Sequence, residues 1–171
     1  MNQTKAIFSS MQNAFNDVQA DQGLGSLGEW PPAGTHNCYV LGVSVTEGEF
    51  KQTGDQQMFP SVITQFTYQL VEDPDHAEPL EWKGAPMNIP NDASQISHEG
   101  SQIRARIEMQ RLKGHMKTLL GRDPGDLGSD MGEIESMLSG EQSVVCSVKC
   151  QYNQRGERTY KSEYLQSLLS G

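Results

Sequence analysis

Aromatic and cationic side chains alternate near the C-terminal end of this chain in a pattern that suits a nucleic-acid contact. Tyr152, Arg155, Arg158, Tyr160 and Lys161 all lie within ten residues. Lysine and arginine neutralise phosphates, and aromatic rings stack on bases, which is how proteins hold single strands without reading their sequence. This segment is therefore the centre of the predicted site.

Further candidates for the same contact lie near predicted turns and strand ends. They are Phe50, Lys51, Phe59, Trp82, Lys83 and Lys149. Core packing is the alternative for each ring, and for Tyr152 it is suggested by a position on the same face of the predicted strand as Val148. Lys149 lies on the opposite face of the same predicted strand, which favours its exposure.

A second pattern would support metal-dependent hydrolysis. Asp75 follows a proline, and Glu81 and Lys83 complete a P-D…E-x-K arrangement, in which the acids hold Mg²⁺ and the lysine orients water. The spacer of five residues is shorter than such nucleases usually have. An acidic turn is the simpler interpretation, and a nuclease using these three residues stays an alternative.

His36, Cys38, Cys146 and Cys150 could in principle bind a zinc ion. Residues four apart in a strand lie about 13 Å from each other, so two of these thiols could not reach one ion without a bend. An odd, sparse cysteine count instead predicts reduced thiols in a cytoplasm. With no phosphate-binding glycine loop or nucleophile elbow present, we predict neither an enzyme nor a bound cofactor or metal.

Charge is unevenly distributed along the chain. The 171 residues carry a net charge of -9. Residues 1–98 hold 3 basic and 12 acidic side chains, whereas residues 99–171 hold 10 of each. A locally positive surface on an acidic protein can still bind phosphates. No apolar run reaches about 18 residues and no secretory signal is recognisable, so a cytoplasmic protein without a membrane span is predicted.

The N-terminal part is predicted to be a helix followed by a linker. Residues 4–20 place Ile7, Phe8, Met11, Phe15 and Val18 on one helical face. The helix packs on its own domain or mediates self-association. A segment rich in glycine and proline continues to residue 34, so the prediction is a helix and linker over 1–34 and a domain over 35–171.

Alternation of apolar residues predicts strands over 37–51, 62–70, 80–89, 144–152 and 159–168. The third is weak, because Gly84 and Pro86 indicate a bulge or an edge. Helical periodicity covers 102–120 and ends at Gly121, while Asp130 and Glu133 resemble a capping box that opens a short helix. Ile103 and Ile107 fall outside the apolar stripe of the longer helix, where they could form a second contact surface.

Five strands with a helix between the third and fourth match the order of an OB-fold, a small, partly open Greek-key barrel. The predicted fold is therefore mainly β, of the α+β type. Such barrels bind single strands through one face and two loops, which here correspond to residues 48–60 and 153–158.

The segment PPAGTHNCYVLGVSVTEGEFKQTGDQQ resembles the opening of phage single-stranded-DNA-binding proteins from replication and recombination cassettes, a family long described as a domain of unknown function. The matching positions are Pro32, Gly34, Tyr39, Glu47, Lys51 and Gly54. A second strand of the FTYQLVED kind, a helix and a closing strand pair extend the resemblance over about residues 31–168. It implies binding of single-stranded DNA without strong sequence preference, in a host cytoplasm if the gene belongs to a phage.

The chain departs from that family in its N-terminal helix and its acidity. It also lacks the acidic C-terminal tip that many bacterial-type single-strand binders use to recruit partners. A protein-binding or assembly module on the same fold, acting through the helix and an acidic face, is therefore a further alternative.

Overall fold

The computed structural model describes residues 28–171. In chain order, the elements are β1 (Gly34–Lys51), β2 (Met58–Leu70), β3 (Glu81–Lys83), β4 (Met87–Pro90), a 3₁₀ helix (Ala93–Gln95), α1 (Glu99–Leu120), α2 (Leu127–Leu138), β5 (Val145–Arg155) and β6 (Arg158–Ser170). The prediction of a mainly β, α+β fold is confirmed for this part. The predicted N-terminal helix and its self-association lie outside the described residues.

The strands form one antiparallel sheet in the order β3–β2–β1–β5–β6, and β4 pairs with β2 beside β3. Strand β1 is long because it serves two neighbours: residues 34–39 pair with β5 and residues 38–51 pair with β2. The register shifts at Leu41, between Val40 and Gly42. Such a bulge bends a strand and increases its twist, which helps the sheet to curl.

The two ends of this sheet meet on α1, which contacts both β4 and β6. Within residues 28–171, no backbone ladder joins β6 to β3 or β4. A side chain makes the connection instead: Glu163 on β6 accepts a 2.9 Å hydrogen bond from the backbone N–H of Ala85, between β3 and β4. The sheet is therefore open, with α1 lying between its ends.

The weak strand predicted over 80–89 is divided in the structure by Gly84, Ala85 and Pro86. Pro86 has no N–H to donate to a ladder. Glycine is required at position 84 because a Cβ there would lie 1.9 Å from Oε2 of Glu163. The break thus gives the Glu163 carboxylate room to reach the backbone.

Both ends of α1 are capped, by His98 at the start and by Gly121 at the end. The His98 ring accepts a hydrogen bond from the backbone N–H of Ser101 at 3.1 Å. The predicted stop at Gly121 is confirmed, since this residue adopts the left-handed conformation with φ of 71°. No helix among the described residues is both long and apolar enough to cross a membrane.

The predicted capping box of α2 is wrong. Asp126 is the residue that caps the helix, and Asp130 and Glu133 lie inside it. Asp130 accepts hydrogen bonds from Nη2 of Arg122 and from the backbone N–H of Gly125, both at 2.7 Å. Sequence spacing alone cannot distinguish a cap from an acid that binds the preceding loop.

Most apolar side chains form one core between the inner face of the sheet and the two helices. Its buried members include Cys38, Val40, Phe66, Tyr68, Leu70, Trp82, Met87, Leu112, Met116, Leu119, Ile134, Cys146, Val148 and Leu165. A second, smaller cluster attaches the far end of the β1–β2 hairpin to the start of α1. It consists of Phe50, Phe59, Ile96 and Ala105.

A group of buried charges lies within the main core, around the fully buried carboxylate of Glu163. Its oxygens accept hydrogen bonds from the Tyr68 hydroxyl at 2.7 Å and from Nη2 of Arg111 at 2.9 Å, in addition to the one from Ala85. Nε2 of His115 lies 3.5 Å away. Burial alone would raise the pKa of the Glu163 carboxyl, but His115 and Arg111 outweigh that effect and hold the pKa below its ordinary value.

We expect Glu163→Gln to lower the free energy of unfolding at neutral pH by about 3–5 kcal/mol, because it leaves the buried Arg111 with Glu108 as its one remaining carboxylate partner. The depressed pKa means that the ionised carboxylate stabilises the fold above the ordinary glutamate pKa of 4.5 and that this contribution is lost on further acidification. The variant should therefore lose less stability than the wild type below that pH.

Urea unfolding followed by circular dichroism at neutral and acidic pH measures both effects. Glu141→Gln, at an exposed position, is the matched control and should behave as the wild type. Equal stability of Glu163→Gln and the wild type at neutral pH would contradict this account of the network.

Candidate nucleic-acid interface

Three of the rings predicted to stack on bases are core residues. Phe50 and Phe59 are 2% and 6% exposed and pack in the smaller cluster, and Trp82 is 2% exposed in the main core. Trp82 also stacks on Tyr68, with ring centroids 4.5 Å apart. Their faces are covered by protein, so the prediction that they line an open groove is corrected: apolar burial decided their position.

Tyr152 and Lys161 also face inwards, where they hold the segment that precedes β1. The Tyr152 hydroxyl donates a hydrogen bond to the carbonyl of Pro31, and Nζ of Lys161 donates one to the carbonyl of Gly28 at 3.1 Å. The same ammonium lies 5.5 Å from the centroid of the Trp30 ring. Burial lowers the pKa of Lys161. Both side chains are therefore engaged by the fold.

The remaining predicted residues on β5 and β6 point to the opposite side of the sheet. On β6, Lys161, Glu163 and Leu165 are buried, and the residues that alternate with them are not. Tyr160 and Tyr164 are both half-buried on this outer side. Because successive side chains of a strand point to opposite faces of the sheet, one face of β6 packs in the core and the other is accessible.

Three cations accompany these two rings. Lys149 on β5 pairs directly with Tyr164, and Arg155 pairs with Arg158 at the tight β5–β6 turn. All three are exposed, and Cζ of Arg155 lies 5.9 Å from the centroid of the Tyr160 ring. We call the surface formed by Lys149, Arg155, Arg158, Tyr160 and Tyr164 the outer tyrosine face.

This face continues across the sheet onto β1. Thr35 pairs with Lys149, and Tyr39 pairs with Val145 on one side and Gln69 on the other. Tyr39 is half-buried, whereas its neighbours Cys38 and Val40 are in the core. Tyr39 and Tyr164 are therefore accessible rings that the sequence analysis did not select, although their parity relative to the buried residues could have identified them.

Two predicted cations lie elsewhere. Lys83 is exposed on β3, where it pairs with Thr67 and alternates with buried Trp82, but two strands separate β3 from β5. Lys51 ends β1, and its carbonyl accepts a hydrogen bond from Arg104 at the start of α1. Neither lysine pairs with β5 or β6 in the sheet, so neither belongs to the outer tyrosine face.

The residues of the nuclease alternative lie around an acidic turn. Asp73 organises this turn by accepting hydrogen bonds from the backbone N–H groups of Asp75 and Leu80 and by contacting His76 at 2.7 Å. Asp75 and Glu81 are exposed. Residues 28–171 contain no group of three or more His, Cys, Asp or Glu side chains that could hold a metal ion.

The cysteines considered as zinc ligands are buried free thiols. Cys38 on β1 lies directly opposite Cys146 on β5. Burial raises the pKa of both thiols to about 12. They remain protonated at neutral pH, so they pack as small apolar groups rather than reacting as thiolates.

The division between structural and accessible rings predicts two different mutational outcomes. Trp82→Ala should lower the free energy of unfolding by about 3–5 kcal/mol, because it empties a packed site in the core. Tyr160→Ala should change it by no more than about 1 kcal/mol, because that ring is half-exposed. Urea titrations of both variants and the wild type measure the difference. Similar losses for the two variants would show that the division is wrong.

No family model, curated protein or solved structure matches the chain. The relationship to phage single-stranded-DNA-binding proteins therefore stays a prediction.

Proposed function

We propose that this chain binds single-stranded DNA through the outer tyrosine face, without strong sequence preference. One observation carries the proposal: the strand pair β5–β6 exposes two half-buried tyrosines and three cations on one side of the sheet, in a chain whose net charge is -9. Rings that stack on bases and cations that neutralise phosphates are the two components of a sequence-tolerant contact.

The strand order supports an OB-like barrel as the framework. If β3 and β4 are counted as one strand interrupted at Gly84–Pro86, the order is third, second, first, fourth, fifth, with α1 between the third and fourth strands. This matches the arrangement of an OB-fold. In such a barrel the β5–β6 turn, which carries Arg155 and Arg158, is one of the two loops that contact nucleic acid.

The strand would lie along the hairpin formed by β5 and β6. Tyr160 and Tyr164 are four residues apart on β6, so their rings can stack on different bases about 13 Å from each other. Lys149 beside Tyr164, and Arg155 and Arg158 near Tyr160, place a cation at each ring. No metal or cofactor is needed for this contact, and the natural ligand would be DNA exposed during phage replication or recombination.

The charge-reversal pair Arg155→Glu with Arg158→Glu tests the phosphate contacts. We expect it to weaken binding of a labelled oligonucleotide at low salt and to reduce the slope of log K against log salt by at least about 1.4, which is about 0.7 for each lost phosphate contact. Fluorescence anisotropy at several salt concentrations measures both quantities.

Arg106→Glu with Lys113→Glu is the matched control. It makes the same change in net charge, at exposed positions on the flank of α1 away from Arg111. If both pairs reduce the affinity equally, the effect is one of net charge and the β5–β6 turn is not the contact. Absence of any binding by the wild type at low salt would remove the proposed function.

The two tyrosines test the stacking contacts. Tyr160→Ala and Tyr164→Ala should each weaken binding by about 1–3 kcal/mol, the range measured for a ring that stacks on one base. Tyr160→Phe and Tyr164→Phe keep the ring and should stay close to the wild type. Anisotropy titrations with the same oligonucleotide compare the four variants, and a loss of equal size in the phenylalanine variants would argue against stacking.

A further inference from the structure

A pocket of about 230 Å³ lies between α1 and β6, at the edge of the outer tyrosine face. The residues that line it include Ile107, Gln110, Gly114 and Tyr164, together with Arg111 and His115. Tyr164 belongs both to this pocket and to the outer tyrosine face. Any strand that stacks on Tyr164 therefore passes the pocket entrance.

Arg111, which lines the pocket, has one hydrogen-bond donor that the described part of the fold does not use. Arg111 is 6% exposed and uses Nη1 for Glu108 and Nη2 for Glu163. Its Nε–H is buried and has no hydrogen-bond partner among the described residues. A buried donor without a partner is costly, and a ligand acceptor atom would satisfy it.

The negative charge of Glu163 and Glu108 keeps this guanidinium charged. Burial opposes the charge of Arg111, but the two carboxylates outweigh that effect and raise its pKa. The donor is therefore fixed in place and permanently charged, which favours an oxygen or nitrogen acceptor on the ligand.

The side chains that line the pocket favour a flat ligand. Ile107 is 46% exposed and supplies an apolar wall, which also explains why it falls outside the core stripe of α1. The Tyr164 ring lies 5.6 Å from Cζ of Arg111, and the Gln110 amide can both donate and accept hydrogen bonds. The volume is smaller than that of pockets for drug-sized ligands, which suits a single ring system.

We infer that this pocket receives one unstacked base of the bound strand. A nucleobase has the flat ring, the polar edge and the acceptor atoms that the walls and the Arg111 donor require, and unstacked bases are commonly held between side chains in this way. The inference rests on the proposed function, because the strand on the outer tyrosine face delivers the base.

Gly114→Met tests the inference by filling the pocket. A Cβ at Gly114 meets no atom within 4 Å, so the added side chain enters open space. Gly132→Met on α2 is the matched control, since a Cβ there also meets no atom within 4 Å and Gly132 does not line the pocket. Both replace a helical glycine with a better helix former.

The measurement uses the full chain and an oligothymidylate that carries one 2-aminopurine, whose emission rises when the base leaves the stack. Wild type and Gly132→Met should increase this emission on binding. Gly114→Met should bind about tenfold more weakly, consistent with the loss of one base contact, and leave the emission close to that of the free oligonucleotide. Gln110→Ala, a truncation at an exposed position, should reduce the emission change without affecting the fold.

If Gly114→Met shows the same emission change and the same affinity as the wild type, the pocket inference is wrong and the proposed function is unaffected. An unchanged emission signal in Gln110→Ala would overturn it in the same way, even if Gly114→Met failed to fold. A wild type that does not bind the oligonucleotide would overturn both proposals, so the two failures are distinguishable.

Discussion

The buried carboxylate of Glu163 is the constraint on which the arrangement of this fold depends. It joins four parts of the chain: its own strand β6, Tyr68 on β2, the backbone between β3 and β4, and Arg111 on α1. A buried carboxylate is tolerated only when its charge is compensated and its oxygens are hydrogen-bonded. The observed placement of α1 between the two ends of the sheet satisfies this condition, and Gly84 supplies the space for the carboxylate.

This placement also creates the two surfaces on which the proposals rest. Because Glu163 must face inwards, its neighbours Ser162 and Tyr164 must face outwards, and Tyr160 has the same parity. The orientation of Arg111 towards Glu163 then sets the distance between α1 and β6, where the pocket lies. The outer tyrosine face and the pocket are thus geometric consequences of one buried interaction.

The charge distribution is compatible with the proposed anionic ligand, although the chain is acidic. The net negative charge comes from residues 1–98, which hold 12 acidic and only 3 basic side chains, in segments such as the turn organised by Asp73. The cations of the outer tyrosine face come from the second half and lie on neighbouring strands. A net negative charge reduces non-specific binding, whereas locally positive charge determines where phosphates bind.

The amino-acid sequence by itself determined the local structure: the alternation that makes strands, the helical period and the stop of α1 at Gly121 are all encoded within a few neighbouring residues. It also placed Arg155, Arg158 and Tyr160 around one tight turn and indicated that Lys149 is exposed on the strand before it. Only the tertiary structure decided which of the rings are covered by other segments: Phe50, Phe59 and Trp82 belong to cores, whereas Tyr39 and Tyr164 are accessible. It also decided that Arg111 meets Glu163 across 52 residues. The physical reason is that parity is a local property of a strand, whereas the choice of the buried face is made by packing against segments distant in sequence.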